Sequence, residues 1–161
     1  MILIPYVEQN GSRTIPDDTL KDVYYQMVDD GLVPAVFSNG SVGSPEQFIQ
    51  VMKDPNNLPV FAVEEKEREV VGFAWLNEIK DNHASVHFCF LKKGWGKTQP
   101  IAEEILKYWF SFTGEDGFLF DVLLGSTPSD NPKAVKFVET MGFTILGTIP
   151  NIYKNTFTGQ T

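Results

Sequence analysis

The stretch Leu91-Lys92-Lys93-Gly94-Trp95-Gly96-Lys97-Thr98 has residue types and spacing suited to holding an anion. Two glycines let the backbone turn tightly and approach a bound group closely. A helical pattern begins at Thr98, so unpaired N–H groups, with the helix dipole behind them, face the turn. Lys92, Lys93 and Lys97 add positive charge within six residues. A pyrophosphate is a natural guest for such a turn. The stretch is neither a Gly-x-x-x-x-Gly-Lys-Thr loop nor a dinucleotide fingerprint with a third glycine. Taken alone, it also reads as a solvated basic turn.

The elements around the turn decide its setting. A strand over residues 84–91 leads into it, with Ser85, His87 and Cys89 on one face and Val86, Phe88 and Phe90 on the other. A helix over 98–112, with Ile101, Ala102, Ile105, Leu106 and Trp109 on one side, leads out, and an apolar strand follows over 118–124. This is a βαβ crossover, so the two strands are expected to be parallel. Upstream, the pattern predicts a strand over 2–8 and a helix from Pro16-Asp17-Asp18 to Gly31, carrying Leu20, Val23, Tyr24, Met27 and Val28. A loop over 37–43 leads to the capping box Ser44-Pro45-Glu46-Gln47, which opens a helix over 45–53. Strands over 60–63 and 70–76 form a hairpin around a charged turn over 64–69. Downstream, Asn131-Pro132 opens a helix that buries Ala134, Phe137, Val138 and Met141, and Gly142 ends it. Residues 144–149 read as a last strand, and the tail from Pro150 as a weak edge strand. The expected fold class is α/β (α+β), one domain over 1–161, with a single mixed central sheet of six to seven strands flanked by about four helices.

Other side chains could act on a reactant. His87, in mid-strand, is a candidate general base, against the plainer role of a hydrogen-bonded structural histidine. Glu78, after the third strand, could bind or deprotonate an amine, or be an exposed turn acid. Ser129 and Asp130 precede the last helix and are expected to cap it. Cys89 shares a face with His87 and reads as a small buried hydrophobe. Trp95 lies inside the basic turn, where it could pack under a ligand. No Cys, His and Asp cluster has metal-ligand spacing, so no metal is expected.

Composition narrows the classes. The chain has 161 residues, 42% hydrophobic and 21% charged, as in an ordinary globular protein. Its net charge of −8 and its two arginines, Arg13 and Arg68, argue against a nucleic-acid partner. No apolar run has the length of a membrane span, so no membrane partner is expected. The apolar opening Met1-Ile2-Leu3-Ile4-Pro5 lacks the basic start and length of a signal peptide. The single cysteine fits a reducing compartment, and the cytoplasm is the expected location.

Thirty-odd residues after the turn comes Asn131-Pro132-Lys133-Ala134-Val135-Lys136-Phe137-Val138-Glu139-Thr140-Met141-Gly142-Phe143. The turn, helix, strand and this Asn-x-x-Ala…Gly-Phe segment, in that order, resemble the GCN5-related N-acetyltransferases (the GNAT fold). Val71-Gly72-Phe73-Ala74 and the two early helices add to the likeness, which spans about residues 2–149. The resemblance implies acetyl-CoA as co-substrate, held where two parallel strands splay apart. Backbone groups of Phe90 and Leu91 would pair with the pantetheine arm. Lys92, Lys93, Gly94, Trp95, Gly96, Lys97 and Thr98 would form the pyrophosphate turn, and Asn131 would contact the CoA arm. A small-molecule or protein amine would attack the thioester. On this reading Gly94→Val should abolish CoA binding and spare the fold. Three departures stand out. Leu91 occupies the place of a family Gln or Arg, and Val138 that of a tyrosine acid. The last strand is short, or supplied by a second copy in a homodimer. These departures motivate a second reading, a weak or inactive GNAT-fold binding or assembly protein. The stretch His87–Thr98 and the short tail resemble a phage-borne branch of the fold.

Overall fold

The structure is a computed structural model that describes residues 1–154 and 156. The chain opens with β1 (Ile2–Pro5) and a ribbon of β2 (Glu8–Gln9) and β3 (Ser12–Arg13), then runs through α1 (Asp17–Asp29), α2 (Val33–Val36) and α3 (Pro45–Lys53). Three long strands follow: β4 (Leu58–Glu64), β5 (Glu69–Lys80) and β6 (His83–Phe90). A 3-10 turn (Lys92–Gly94) leads into α4 (Thr98–Phe110). A ribbon of β7 (Thr113–Gly114) and β8 (Gly117–Phe118), then β9 (Val122–Leu124) and α5 (Pro132–Thr140), complete the order.

Local chemistry sets the early boundaries. Asp17 and Asp18 sit in the first turn of α1, where carboxylates complement the dipole, and Gly31 takes φ +71° just beyond its end. Ser44 caps α3 by accepting from the Gln47 N–H at 3.2 Å. The Gln47 side chain reaches back to the Gly43 N–H at 2.8 Å, so the box closes one residue early. Asp17 pairs with Arg13 and with Lys53 (3.1 Å), tying β3 and α3 to the start of α1.

The central sheet has strand order β1-β4-β5-β6-β9. Its first four strands are antiparallel in sequence, and β6 and β9 are parallel, as the crossover requires. Each face carries its own apolar layer. Leu20, Met27, Phe48 and Met52 of α1 and α3 pack on Phe61, Phe73, Trp75 and Cys89. Ile101, Ile105 and Trp109 of α4 pack on Ala62, Ala74, Leu76 and Val86. The period-two reading of β6 therefore holds, with Cys89 in one layer and Val86 in the other. Each large side chain withdrawn from water contributes about 1.5–3 kcal/mol.

Four expectations need correction. The central sheet has five strands among the described residues, not six to seven. Residues 144–149 form no strand; Ile145, Leu146 and Ile149 are exposed, and nothing pairs them with β9, which offers an edge only three residues long. The apolar run at 118–124 is not a buried strand either: Phe120 and Leu123 are buried, while Phe118, Leu119, Val122 and Leu124 are exposed. The fourth expected helix, α5, has no fully buried residue, and α2 adds a fifth helix that the Gly31 and Pro34 punctuation concealed. The edge strand expected beyond Pro150 falls partly on residues 155 and 157–161, outside the described residues. No helix among the described residues is long and apolar enough to cross a membrane.

Candidate active site

Strands β6 and β9 pair only over His83–Ser85 and Val122–Leu124, after which β6 continues to Phe90 paired with β5 alone. The Leu91 N–H donates to the Val71 carbonyl of β5 at 3.1 Å. Antiparallel alternation then turns the backbone groups of Phe90 and Phe88 to the opposite edge, the one β9 has left. The ladder therefore has a gap beyond Ser85, where the unpaired edge of β6 presents peptide groups of Phe88 and Phe90. Their N–H groups have no partner among the described residues. The Phe90 carbonyl accepts from the Trp95 indole N–H at 3.1 Å. Phe137 of α5 packs edge-on against Phe88 and Phe90, with ring centroids 5.8 and 5.2 Å apart. Leu91 does not face the gap: its N–H is taken by β5, and its side chain is 1% exposed in the core.

At the end of this edge the basic turn is built as expected, but its parts play different roles. Gly94 is buried against β5, where a Cβ would overlap the Val71 carbonyl oxygen. It serves packing rather than close approach by a ligand, so Gly94→Val cannot spare the fold. Gly96 has φ +89° and open space around it. The N–H groups of Lys93, Gly96, Thr98 and Gln99 donate to none of the described residues, and free N–H groups at a helix start are the kind that can hold an anion. Asn131 caps α5, accepting from the Ala134 N–H at 3.1 Å, so its carbonyl oxygen is engaged and its amide NH2 remains for a ligand. Ser129 and Asp130, expected as caps, are exposed and leave that role to Asn131.

The charge of the turn is balanced from outside it. Lys93 pairs with Glu69 at 3.1 Å and Lys97 with Glu64 at 2.9 Å. The Lys92 N–H donates to Asp30 at 2.7 Å. The Lys97 ammonium holds the Glu64 carboxyl below its usual range. Sequence reasoning missed Asp30, Glu64 and Glu69. The charged turn at 64–69 was the one available signal, and it reads as a solvated turn. Exposed ion pairs hold weakly. On the expectation that this turn holds the pyrophosphate of acetyl-CoA, the double variant Glu64→Gln/Glu69→Gln should bind acetyl-CoA several-fold more tightly at low salt, with the gain shrinking as salt rises. Calorimetric titration checks this, and weaker binding would show that the acids position the lysines rather than compete for them.

On the other face, the His87 ring stacks on Trp75 with centroids 4.6 Å apart and planes 13° apart. Its Nε2 lies 2.9 Å from the Asn77 carbonyl oxygen, an acceptor only, which places the proton on Nε2 and the lone pair on Nδ1. Burial lowers the His87 pKa, and nearby Glu78 opposes this in part. The ring is thus neutral at pH 7, the form a base needs. Glu78 sits where the β5–β6 register slips after Asn77, with φ +48°, and accepts from Ser85 Oγ at 2.7 Å. Together with Pro55, Asn56, Asn57, Asn77 and Ile79 it lines an open cleft of about 530 Å3. Cys89 is buried, and burial pushes its thiol pKa up, so it is no nucleophile at neutral pH. Val138 is half-buried on α5 and offers no acid.

No family model matches the chain, and no curated protein matches it by sequence. Solved structures do. A mutant form of the Vibrio cholerae spermidine N-acetyltransferase SpeG is 15% identical, with 99% of this chain and 90% of that one covered and a TM-score of 0.69. The spermidine N-acetyltransferase of Vibrio cholerae in complex with CoA and spermine is 15% identical, with 91% and 83% covered and a TM-score of 0.65. A chimera of SpeG and hSSAT is 16% identical, with 99% and 92% covered and a TM-score of 0.67. At these identities the likeness is one of architecture: the chain has the GNAT fold, here a mixed sheet in which β6 and the edge strand β9 run parallel beside a glycine-bearing turn.

Proposed function

We propose that the chain transfers an acetyl group from acetyl-CoA to a small amine. The observation that carries this reading is the parting of β6 from β9, edged by peptide groups of Phe88 and Phe90 and closed by the unpaired N–H groups at the start of α4. An extended pantetheine would pair with the first set and a pyrophosphate with the second. The spermidine N-acetyltransferases of the same fold support an amine as acceptor.

The chemistry follows from the side chains present. Glu78 attracts an ammonium to the cleft. His87 Nδ1 takes the proton that the amine must lose. The amine nitrogen bonds to the thioester carbon as the carbon–sulfur bond breaks, and the free Phe88 N–H would stabilise the oxyanion. The sulfur departs as thiolate and receives, through water, the second proton that the amine nitrogen sheds as it becomes an amide, because Val138 has none to give. Bringing the two reactants together would supply much of the acceleration.

One observation favours the second reading, a GNAT-fold binding or assembly protein of the phage-borne kind. Two of the turn's three lysine side chains, Lys93 and Lys97, and the Lys92 N–H are already engaged by Glu69, Glu64 and Asp30. Calorimetry with acetyl-CoA, followed by thiol release with a panel of amines, separates the two. Binding with release supports transfer, and binding with no release supports the second reading.

A further inference from the structure

We infer that the cleft beside Glu78 selects a primary amine of single positive charge on a neutral, hydroxyl-bearing body, such as an amino sugar, over a polyamine. This rests on the transferase reading. A volume of about 530 Å3 suits a small molecule. Glu78 is the one carboxylate among the residues lining it, so one ammonium finds a countercharge there. A second ammonium finds no carboxylate among these lining residues and, as a donor only, cannot accept from the Asn77 NH2 group.

The three asparagines complete the match. The Asn56 side-chain nitrogen is engaged by Asp54, and that of Asn57 by the Val51 carbonyl at 2.7 Å. The Asn77 oxygen is engaged by His87 at 2.9 Å. Among the described residues, the side-chain carbonyl oxygens of Asn56 and Asn57 and the NH2 group of Asn77 have no partner and remain for a guest, beside the second N–H of each engaged amide. Hydroxyl groups both donate and accept, and they satisfy this mixed set where a methylene chain satisfies none of it. Pro55 and Ile79 provide an apolar wall for a carbon skeleton. The left-handed backbone of Glu78, in a register slip, is a costly conformation for a non-glycine residue and fixes the carboxylate at this rim.

The test compares glucosamine, hexylamine and spermidine as acceptors with acetyl-CoA, reading kcat/KM by thiol release. Glucosamine should exceed both others by at least about tenfold. Asn56→Ala/Asn57→Ala should bring it down toward hexylamine. A second readout needs no turnover: glucosamine should shift the side-chain amide resonances of Asn56, Asn57 and Asn77 more than spermidine does. Spermidine as the best acceptor would overturn the selectivity and leave the transferase reading standing. No thiol release with any amine would overturn the transferase reading. Unshifted asparagine resonances with glucosamine would overturn the inference by themselves.

Discussion

His87→Gln is expected to lower kcat/KM by about 10²- to 10⁴-fold, the usual contribution of a positioned general base. Glutamine can still reach Asn77 but offers no lone pair of suitable basicity. The pH dependence identifies the cause. Burial lowers the His87 pKa below 6.5. In the native protein kcat/KM should therefore break downward as pH falls through that lowered value, and the break should vanish in the variant. Stability carries the opposite face of the same shift. The unfolded chain takes up the His87 proton more readily than the folded one does. Native stability should thus decline as pH falls below about 6.5 and level off below the folded-state pKa. The variant should lose this contribution to the decline. A variant with an unchanged pH–rate profile would reduce His87 to a structural partner of Trp75 and Asn77.

The second large effect is on folding. Gly94→Ala is expected to cost about 3 kcal/mol or more, although it adds a single methyl group. The added carbon would overlap the Val71 carbonyl oxygen, which is backbone of the central sheet and has no rotamer to change. That oxygen also accepts from the Leu91 N–H at 3.1 Å, so displacing it endangers a buried hydrogen bond as well. Thermal melting should fall by roughly 6–12 °C. Gly96→Ala provides the contrast. It meets no atom within 4 Å but must hold φ +89°, so it should cost about 1–2 kcal/mol and act mainly on acetyl-CoA affinity. Equal losses from the two substitutions would contradict the packing of Gly94 against β5.

Local rules explain what could be read from the sequence. The faces of β6, the Ser44 cap and the stripe of α4 depend on near neighbours and period, and they stand as expected. Both glycines of the turn were visible as punctuation. Which one packs and which one bends is a tertiary fact, set by a strand some twenty residues earlier. The pairing of Lys93 and Lys97 with Glu69 and Glu64 was hidden for the same reason. Residues 144–149 have a strand's composition, but composition does not supply a partner edge, and β9 is too short to offer one. At Glu78 the residue was visible and its setting was not. The register slip and the asparagines of the α3–β4 connection meet it only through the fold.

The most direct test is a backbone amide spectrum of the whole chain titrated with acetyl-CoA to millimolar concentration. The gap reading predicts saturable shifts at Phe88 and Phe90 along the free edge of β6 and at Gly96, Thr98 and Gln99 at the start of α4. The amides of Cys89 and Leu91, on the β5 side, should move less. No shifts, or shifts confined to surfaces away from β6 and α4, would contradict it.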